Sequence, residues 1–153
     1  MVDISIRGDL WDDDSADVLR WWGFRDITAP MDIRAALDWA DPRWKATGLR
    51  ANSIGAYFAM LAGGDEVTVL VNSPGGDMAV GAEIRSMLRR YQGKTTALFQ
   101  GYGASAATLA VSACTVIQSE PGALLCYHNP SNTTSGDFHE MRRSAEALRN
   151  ARD

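Results

Sequence analysis

Two short segments rich in β-branched and apolar residues, 66–71 (EVTVLV) and 95–99 (TTALF), flank a segment with helical periodicity. Short apolar segments bounded by turn residues are typical of buried strands. The intervening segment, 78–91, repeats its apolar residues at the spacing of one helix face. These residues are Val80, Ile84, Met87, Leu88 and Tyr91. A strand, a helix and a second strand in this order predict parallel strands joined by a crossover, and hence an α/β fold.

The same alternation extends over most of the chain. Apart from the helix that Pro30 begins, the segment 8–50 shows no clear pattern, although it holds an acidic run and a Trp21-Trp22 pair. With 153 residues, we expect one domain that spans the chain. We predict further strands over 2–7, 114–118 and 123–127, and further helices over 30–39, 54–62, 105–113 and 137–151.

Charge and composition exclude several classes of function. The 15 basic and 19 acidic residues give a formal net charge of −4, which provides no positive field for nucleic-acid phosphates. The chain has no run of about 18 uncharged apolar residues, which a membrane span requires, and its first residues lack a secretory signal pattern. Cys114 and Cys126 have neither disulfide-framework nor zinc spacing. We therefore expect a cytoplasmic protein with no metal, cofactor, nucleic-acid or membrane partner.

Three features carry candidate chemistry. The segment 72–76 (NSPGG) follows a predicted strand, and its paired glycines can turn backbone N–H groups toward a ligand, although a plain turn also explains them. Ser105 lies among small residues at the start of a short helix, where amides can stabilise an oxyanion; the alternative is a buried N-cap serine. His128 follows the apolar strand 123–127 as a candidate general base, unless it is structural or solvated. The other histidine, His139, falls in the amphipathic last helix.

A rival motif lies between these features. Gly101, Gly103 and Ala106, with Glu120 at 19 residues after Gly101, match the dinucleotide-binding fingerprint. The helix available for this motif spans only 104–113, which is short for such a crossover. We interpret the motif as a turn rich in glycine and alanine.

Taken together, the three features resemble the Clp-type serine peptidases, especially the phage head-maturation proteases. The family's signatures are a strand that ends in N-S-P-G-G, a G-x-A-S-type nucleophile turn, and a histidine in an H-N-P or H-Q-P context. They stand here at 71–77 (VNSPGGD), 103–106 (GASA) and 127–130 (YHNP). The last glycine of the first motif precedes Ser105 by 29 residues, and Ser105 precedes His128 by 23. The resemblance covers roughly residues 66–150.

The resemblance implies a ClpP- or crotonase-like ββα spiral with a C-terminal handle, formed by the strand and helix of 123–151. It implies that Ser105 is the nucleophile, that His128 is its general base, and that the N–H groups of Gly76 and Ala106 form the oxyanion hole. Three residues of the first motif are implied to contact the substrate: Ser73, Pro74 and Gly75.

The implied function is a serine endopeptidase that cleaves unfolded protein, or phage scaffold and capsid segments, through an acyl-enzyme. The implied partners are a protein or peptide substrate, further copies of this chain in a ring, and a Clp-type ATPase or a phage capsid or scaffold protein. The implied location is the cytoplasm of a bacterium or of a phage-infected host cell. We expect self-association through the 137–151 helix and the Trp21-Trp22 pair.

Two departures from the family pattern lead to alternatives. The family's third catalytic residue, an aspartate, follows the handle helix, whereas this chain ends at Asp153, and Asp137 has the context of a helix start. The segment 8–50 is also atypical of the family. We therefore expect the last part of the family fold to be missing and activity to be weak. A catalytically impaired Clp-like scaffold that forms rings and a crotonase-type acyl-CoA enzyme stand as alternatives.

Overall fold

The computed structural model describes residues 2–40 and 66–152. The predicted α/β fold is confirmed, while the helix predicted over 54–62 lies outside the described residues. The strands within these ranges are β1 (Val2–Leu10), β2 (Ile27–Thr28), β3 (Val67–Gly76), β4 (Thr95–Ala104), β5 (Val116–Ser119) and β6 (Leu124–Cys126). The helices are α1 (Asp13–Trp21), α2 (Pro30–Ala40), α3 (Met78–Arg90), α4 (Ala106–Val111) and α5 (Phe138–Arg152).

The strands form one parallel sheet in the order β2–β1–β3–β4–β5. The long strand β4 pairs with β5 over its first half, and its last residues, Tyr102 to Ala104, pair with β6. Because the strands are parallel, their carboxyl ends meet at one edge of the sheet. Ligand sites of open parallel sheets lie at this edge.

The core lies between the central strands and the helices packed on them. Val67, Val69 and Val71 of β3 are fully buried at every second position, as a strand with a buried face requires. Ile84 and Leu88 of α3 lie four residues apart on one helix face and belong to the same core cluster. This packing provides a rigid support for the carboxyl edge of β3 and β4.

The first 40 residues contain more structure than their pattern predicts. The predicted helix at Pro30 is confirmed as α2, and α1 and β2 precede it. Asp12 caps α1 by accepting a hydrogen bond from the Ser15 N–H at 2.9 Å, and this bond lowers the pKa of the Asp12 carboxyl. The buried Thr28 hydroxyl accepts from the N–H of Arg7 and donates to its C=O, both at 2.9 Å. A side chain thus joins β2 to β1.

The segment 72–76 predicts a turn, and this prediction is wrong, because β3 continues through Gly76. The strand β1 is also longer than predicted and runs to Leu10, so that it pairs with Gly75 and Gly76. Pro74 has no N–H to donate, and prolines in sheets are tolerated at such irregular positions. A register shift in the β1–β3 ladder lies beside it.

The handle consists of β6 and α5, and most of its residues are exposed. No residue of α5 is buried; Phe138 and Met141, which belong to the predicted apolar stripe, are 70% and 50% exposed. Leu124 of β6 and the following Tyr127 are 67% and 72% exposed. Of the helices described, none is long and apolar enough to cross a membrane.

Candidate active site

Ser105 is the one residue that connects the end of β4 to the start of α4. Its φ is 52° and its ψ is −128°. Among the described residues it is the one non-glycine residue with a positive φ. Such backbone costs about 1–3 kcal/mol and occurs preferentially at functional sites. A serine on a sharp strand-to-helix turn is the arrangement that exposes the nucleophile of many hydrolases. The Ser105 side chain is half-buried, and its hydroxyl has no hydrogen-bond partner among the described residues.

Backbone hydrogen bonds hold this turn in place. The Ser105 N–H donates to the C=O of Cys126, the last residue of β6, at 3.1 Å. The Ser105 C=O accepts from the N–H of Thr108 at 3.0 Å and from the Thr108 hydroxyl at 2.7 Å. The backbone of Ser105 is therefore held on both sides, whereas its hydroxyl has no partner among the described residues.

Gly75 and Gly76 bring the end of β3 against this turn. A Cβ on Gly75 would lie 2.7 Å from Ser105 Cβ and 2.9 Å from Ala106 N, and a Cβ on Gly76 would lie 2.6 Å from the backbone N and O of Leu10. Both glycines have positive φ, of +101° and +142°. Only glycine fits either position. The 75–76 peptide thus lies between β1 and the Ser105 turn.

The other two residues implied to contact substrate differ in exposure. Ser73 is fully buried, and its hydroxyl donates to the Gly8 C=O at 2.5 Å and accepts from the Gly75 N–H at 3.1 Å. Pro74 is exposed, whereas Gly75 is buried. Pro74 is therefore the residue of this trio that solvent reaches.

Ala106 is the first residue of α4, so its N–H has no acceptor within that helix. Gly81 of α3 determines how closely α4 approaches, because a Cβ on Gly81 would lie 2.7 Å from the Ala106 carbonyl oxygen. The position of the Ala106 amide beside Ser105 thus depends on a glycine in a different helix.

His128 lies two residues beyond β6 and is exposed. Its Nδ1 is 2.8 Å from the carbonyl oxygen of Asn129. Because a carbonyl only accepts hydrogen bonds, Nδ1 carries the proton in this contact, which leaves Nε2 as the basic nitrogen. Ser105 and His128 follow two strands paired at Ala104 and Cys126, but no hydrogen bond joins their side chains.

Asp137 belongs to the start of α5, as predicted. Its Oδ1 accepts from the N–H groups of His139 and Glu140 at 2.8 and 3.0 Å, and the Glu140 carboxylate accepts from the Asp137 N–H at 2.9 Å. These reciprocal bonds are those of a capping box. Within residues 2–40 and 66–152, no carboxylate is hydrogen-bonded to His128.

The sequence model of the Clp protease family matches residues 48–153, which is more than half of the chain. The chain belongs to the Clp protease family. The matched range contains all three motifs on which the predicted resemblance depends, and the resemblance to the Clp-type peptidases is confirmed. No match to a curated protein sequence is found.

A solved structure supports the same fold for this Clp protease family member. A ClpP1 mutant from Listeria monocytogenes superposes with a TM-score of 0.61 at 16% sequence identity. The alignment covers 99% of this chain, so it extends over nearly all of the residues before 48, where the family match begins. The chain spans 66% of the length of that ClpP1 chain.

The glycines of the dinucleotide-like motif do not form a strand-to-helix turn in this member of the Clp protease family. Gly101 and Gly103 lie within β4, and a Cβ on Gly103 would lie 2.2 Å from the Phe99 ring. In the part of the chain that the structure describes, no three His, Cys, Asp or Glu side chains are grouped to hold a metal ion. Both cysteines are free; burial raises the pKa of the Cys114 thiol, while Cys126 is exposed.

The sequence analysis did not identify two residues that help to hold the site in place. Gly8 has a φ of +60°, and a Cβ there would lie 1.8 Å from the Asp26 carbonyl oxygen. A glycine directly after an alternating strand was the available signal for this close approach. Asn72 accepts a hydrogen bond from the Tyr102 N–H at 3.2 Å, and no sequence signal distinguished it from its motif neighbours.

Proposed function

We propose that this chain acts as a serine endopeptidase through Ser105. The Ser105 hydroxyl attacks the carbonyl carbon of the scissile peptide, and Nε2 of His128 accepts the hydroxyl proton. The N–H groups of Gly76 and Ala106 hold the oxyanion that forms. The C–N bond then breaks, the amine leaves with the proton from His128, and water hydrolyses the acyl-enzyme by the same steps.

The observation that carries this proposal is the backbone of Ser105. A serine with φ of 52° between a strand and a helix costs conformational free energy, and its hydroxyl has no hydrogen-bond partner to offset that cost. Strained residues of this kind cluster at functional sites. The family membership agrees with this use. Gly75 adds support, since its lack of a side chain admits the 75–76 peptide to the turn where an oxyanion would form.

The His128 contacts support a role as base. The Asn129 carbonyl oxygen occupies the position on Nδ1 that a carboxylate takes in a Ser-His-Asp site, and it selects the tautomer with a free Nε2. A carbonyl stabilises the imidazolium less than a carboxylate does. We therefore expect slow acylation of Ser105 in this chain. His128 lies between the two elements of the exposed handle, so the proposed reaction requires the handle to place the His128 ring beside Ser105.

The proposed substrates are unfolded protein chains or phage scaffold and capsid segments, and the proposed location is the cytoplasm. The proposed partners are further copies of this chain in a ring and a Clp-type ATPase or capsid protein. The exposed apolar residues of the handle, such as Leu124 and Phe138, support association with another protein surface.

A second candidate is a ring-forming scaffold that does not cleave. Two observations favour it: the Ser105 hydroxyl and the His128 ring are not hydrogen-bonded, and no described carboxylate is bonded to the ring. In this case the strained turn would be a family feature that persists without activity.

Fluorophosphonate labelling tests both candidates, since it requires an activated serine and no knowledge of the substrate. We expect covalent modification of Ser105, located by mass spectrometry, and its loss in Ser105→Ala. Ser112→Ala is the matched control, because Ser112 lies at the other end of α4 and its hydroxyl donates to Leu109 C=O. Absence of label on the wild-type chain would contradict the peptidase proposal and favour the scaffold; a crotonase-type enzyme would also stay unlabelled at Ser105.

A further inference from the structure

The strand β3 is irregular on both sides at the same point. Its ladder with β1 shifts register between Arg7 and Asp9, and its ladder with β4 shifts between Val71 and Ser73. Bulges of this kind bend a strand and redirect its residues, and they are frequent beside active sites. Here they lie directly before the 75–76 peptide.

On the β4 side, Asn72 spans the irregular stretch. Val71 pairs with Phe99 and Ser73 pairs with Gly103, so three residues of β4 lie opposite Asn72 alone. The single peptide group at Asn72 cannot supply hydrogen-bond partners for three residues of β4. The Asn72 side chain supplies an acceptor, because its Oδ1 takes the hydrogen bond of the Tyr102 N–H at 3.2 Å.

On the β1 side, the Ser73 side chain spans the irregular stretch as the Asn72 side chain does on the β4 side. Arg7 pairs with Asn72 and Asp9 pairs with Gly75, so Ser73 and Pro74 lie opposite Gly8 alone. The Ser73 hydroxyl donates to the Gly8 C=O and accepts from the Gly75 N–H. One buried hydroxyl thus joins β1 to the residue that contacts Ser105.

We propose that Asn72 and Ser73 are positioning residues for the nucleophile turn, each joining β3 to a neighbouring strand across a register shift. This inference rests on the proposed function of Ser105. Asn72 holds Tyr102, three residues before Ser105, and Tyr102 in turn pairs with Leu124 at the start of the handle strand. Ser73 holds Gly75, where an added Cβ would lie 2.7 Å from Ser105 Cβ. The resemblance implies a substrate contact for Ser73, but its side chain is fully buried and its hydroxyl is bonded to Gly8 and Gly75, so we propose a positioning role for it instead.

Asn72 provides the cleaner test, because it is exposed and its loss leaves no buried group without a partner. Asn72→Leu removes the acceptor, and Asn72→Asp retains an acceptor oxygen. Gln92→Leu is the matched control: Gln92 is also an exposed amide with one hydrogen bond, to the Arg90 C=O, and it precedes β4 at the opposite edge of the sheet. Ser73→Ala tests the second residue.

The measurement is fluorophosphonate labelling of Ser105 in the full chain, separated into the affinity for the reagent and the maximal rate of acylation. We expect Asn72→Leu and Ser73→Ala to lower the maximal rate by about tenfold to a hundredfold, the scale of a small misplacement of reacting groups, with unchanged affinity. Asn72→Asp is expected to recover most of the rate, and Gln92→Leu to match the wild type. A thermal unfolding scan identifies any variant that does not fold.

Three results overturn the proposal. Asn72→Leu with a wild-type maximal rate would show that the bond to Tyr102 serves only the sheet. A loss in Asn72→Asp equal to that in Asn72→Leu would show that the acceptor is not what matters. A wild-type chain that is not labelled at Ser105 would remove the proposed function itself, and this result differs from the other two because no variant is needed to see it. If Asn72→Leu does not fold, the comparison of Asn72→Asp with Asn72→Ala decides.

Discussion

Gly75 lies in direct contact with Ser105: a Cβ on the glycine would be only 2.7 Å from the serine Cβ and 2.8 Å from the Ala104 carbonyl oxygen. The same glycine has a φ of +101°, which side chains rarely adopt. Two independent requirements for glycine therefore coincide at one residue. This close approach joins the end of β3 to the turn at Ser105, which follows β4.

Substitution of Gly75 is expected to damage the site and the fold together. Gly75→Ala places a methyl group against backbone atoms that cannot move freely, so we expect labelling of Ser105 to fall by about a hundredfold or more. The free energy of unfolding should fall by about 1–3 kcal/mol, the scale of overpacking. Labelling kinetics and chemical denaturation measure the two effects.

The matched control is Gly23→Ala. Gly23 has a similar φ of +97°, but a Cβ there meets nothing within 4 Å, so this variant carries the backbone strain without the contact. It should keep the wild-type labelling rate. Equal labelling rates for Gly75→Ala and Gly23→Ala would show that the close approach to Ser105 is not the cause of slower labelling.

Ser105 stores backbone strain that a glycine would release. Both Ser105→Ala and Ser105→Gly should abolish labelling, since both remove the hydroxyl that we propose as the nucleophile. Because only glycine adopts a φ of 52° with a ψ of −128° without steric cost, we expect Ser105→Gly to be at least as stable as Ser105→Ala, despite the usual loss of about 0.5–1 kcal/mol for glycine. Chemical denaturation of both variants checks this order, and an alanine variant more stable by that usual amount would show that the turn is unstrained.

Thr28 is expected to contribute to stability through its hydroxyl. Thr28→Val keeps the shape of the buried side chain but leaves the N–H and C=O of Arg7 without their partner, which costs about 1–3 kcal/mol. Thr28→Ser keeps the hydroxyl and should lose less. The free energy of unfolding from denaturant titration gives both values. A valine variant as stable as the wild type would mean that water satisfies Arg7 equally well.

The exposed apolar residues of α5 predict self-association. We expect the chain to sediment as an oligomer at micromolar concentration and the double variant Phe138→Arg, Met141→Arg to sediment as a smaller species, because the charges cannot be buried between subunits. Asn150→Arg, at the exposed end of the same helix, is the control for added charge. A clean monomer of the wild-type chain would contradict the prediction.

Local patterns predicted much of this protein correctly. The helix predicted over 78–91 is found as Met78–Arg90, and the alternation of strands and helices led to the α/β fold. The order and spacing of the three motifs led to the family. The position of Asp137 at the start of α5 and the glycines of the first motif were also recognised from the sequence, whereas the capping bond of Glu140 was not. Whether Ser105 and His128 are the catalytic residues remains a prediction.

Other features were decided only by the tertiary structure. Sequence periodicity reports which face of an element is buried, because that signal repeats every two or every 3.6 residues. It does not report which strands pair or in which register. The bond from Ser73 to Gly8 joins residues 65 positions apart, and it is this pairing that extends β3 through a predicted turn. The strained backbone of Ser105 likewise depends on β6 and on Gly75, whose positions no local pattern around the serine encodes.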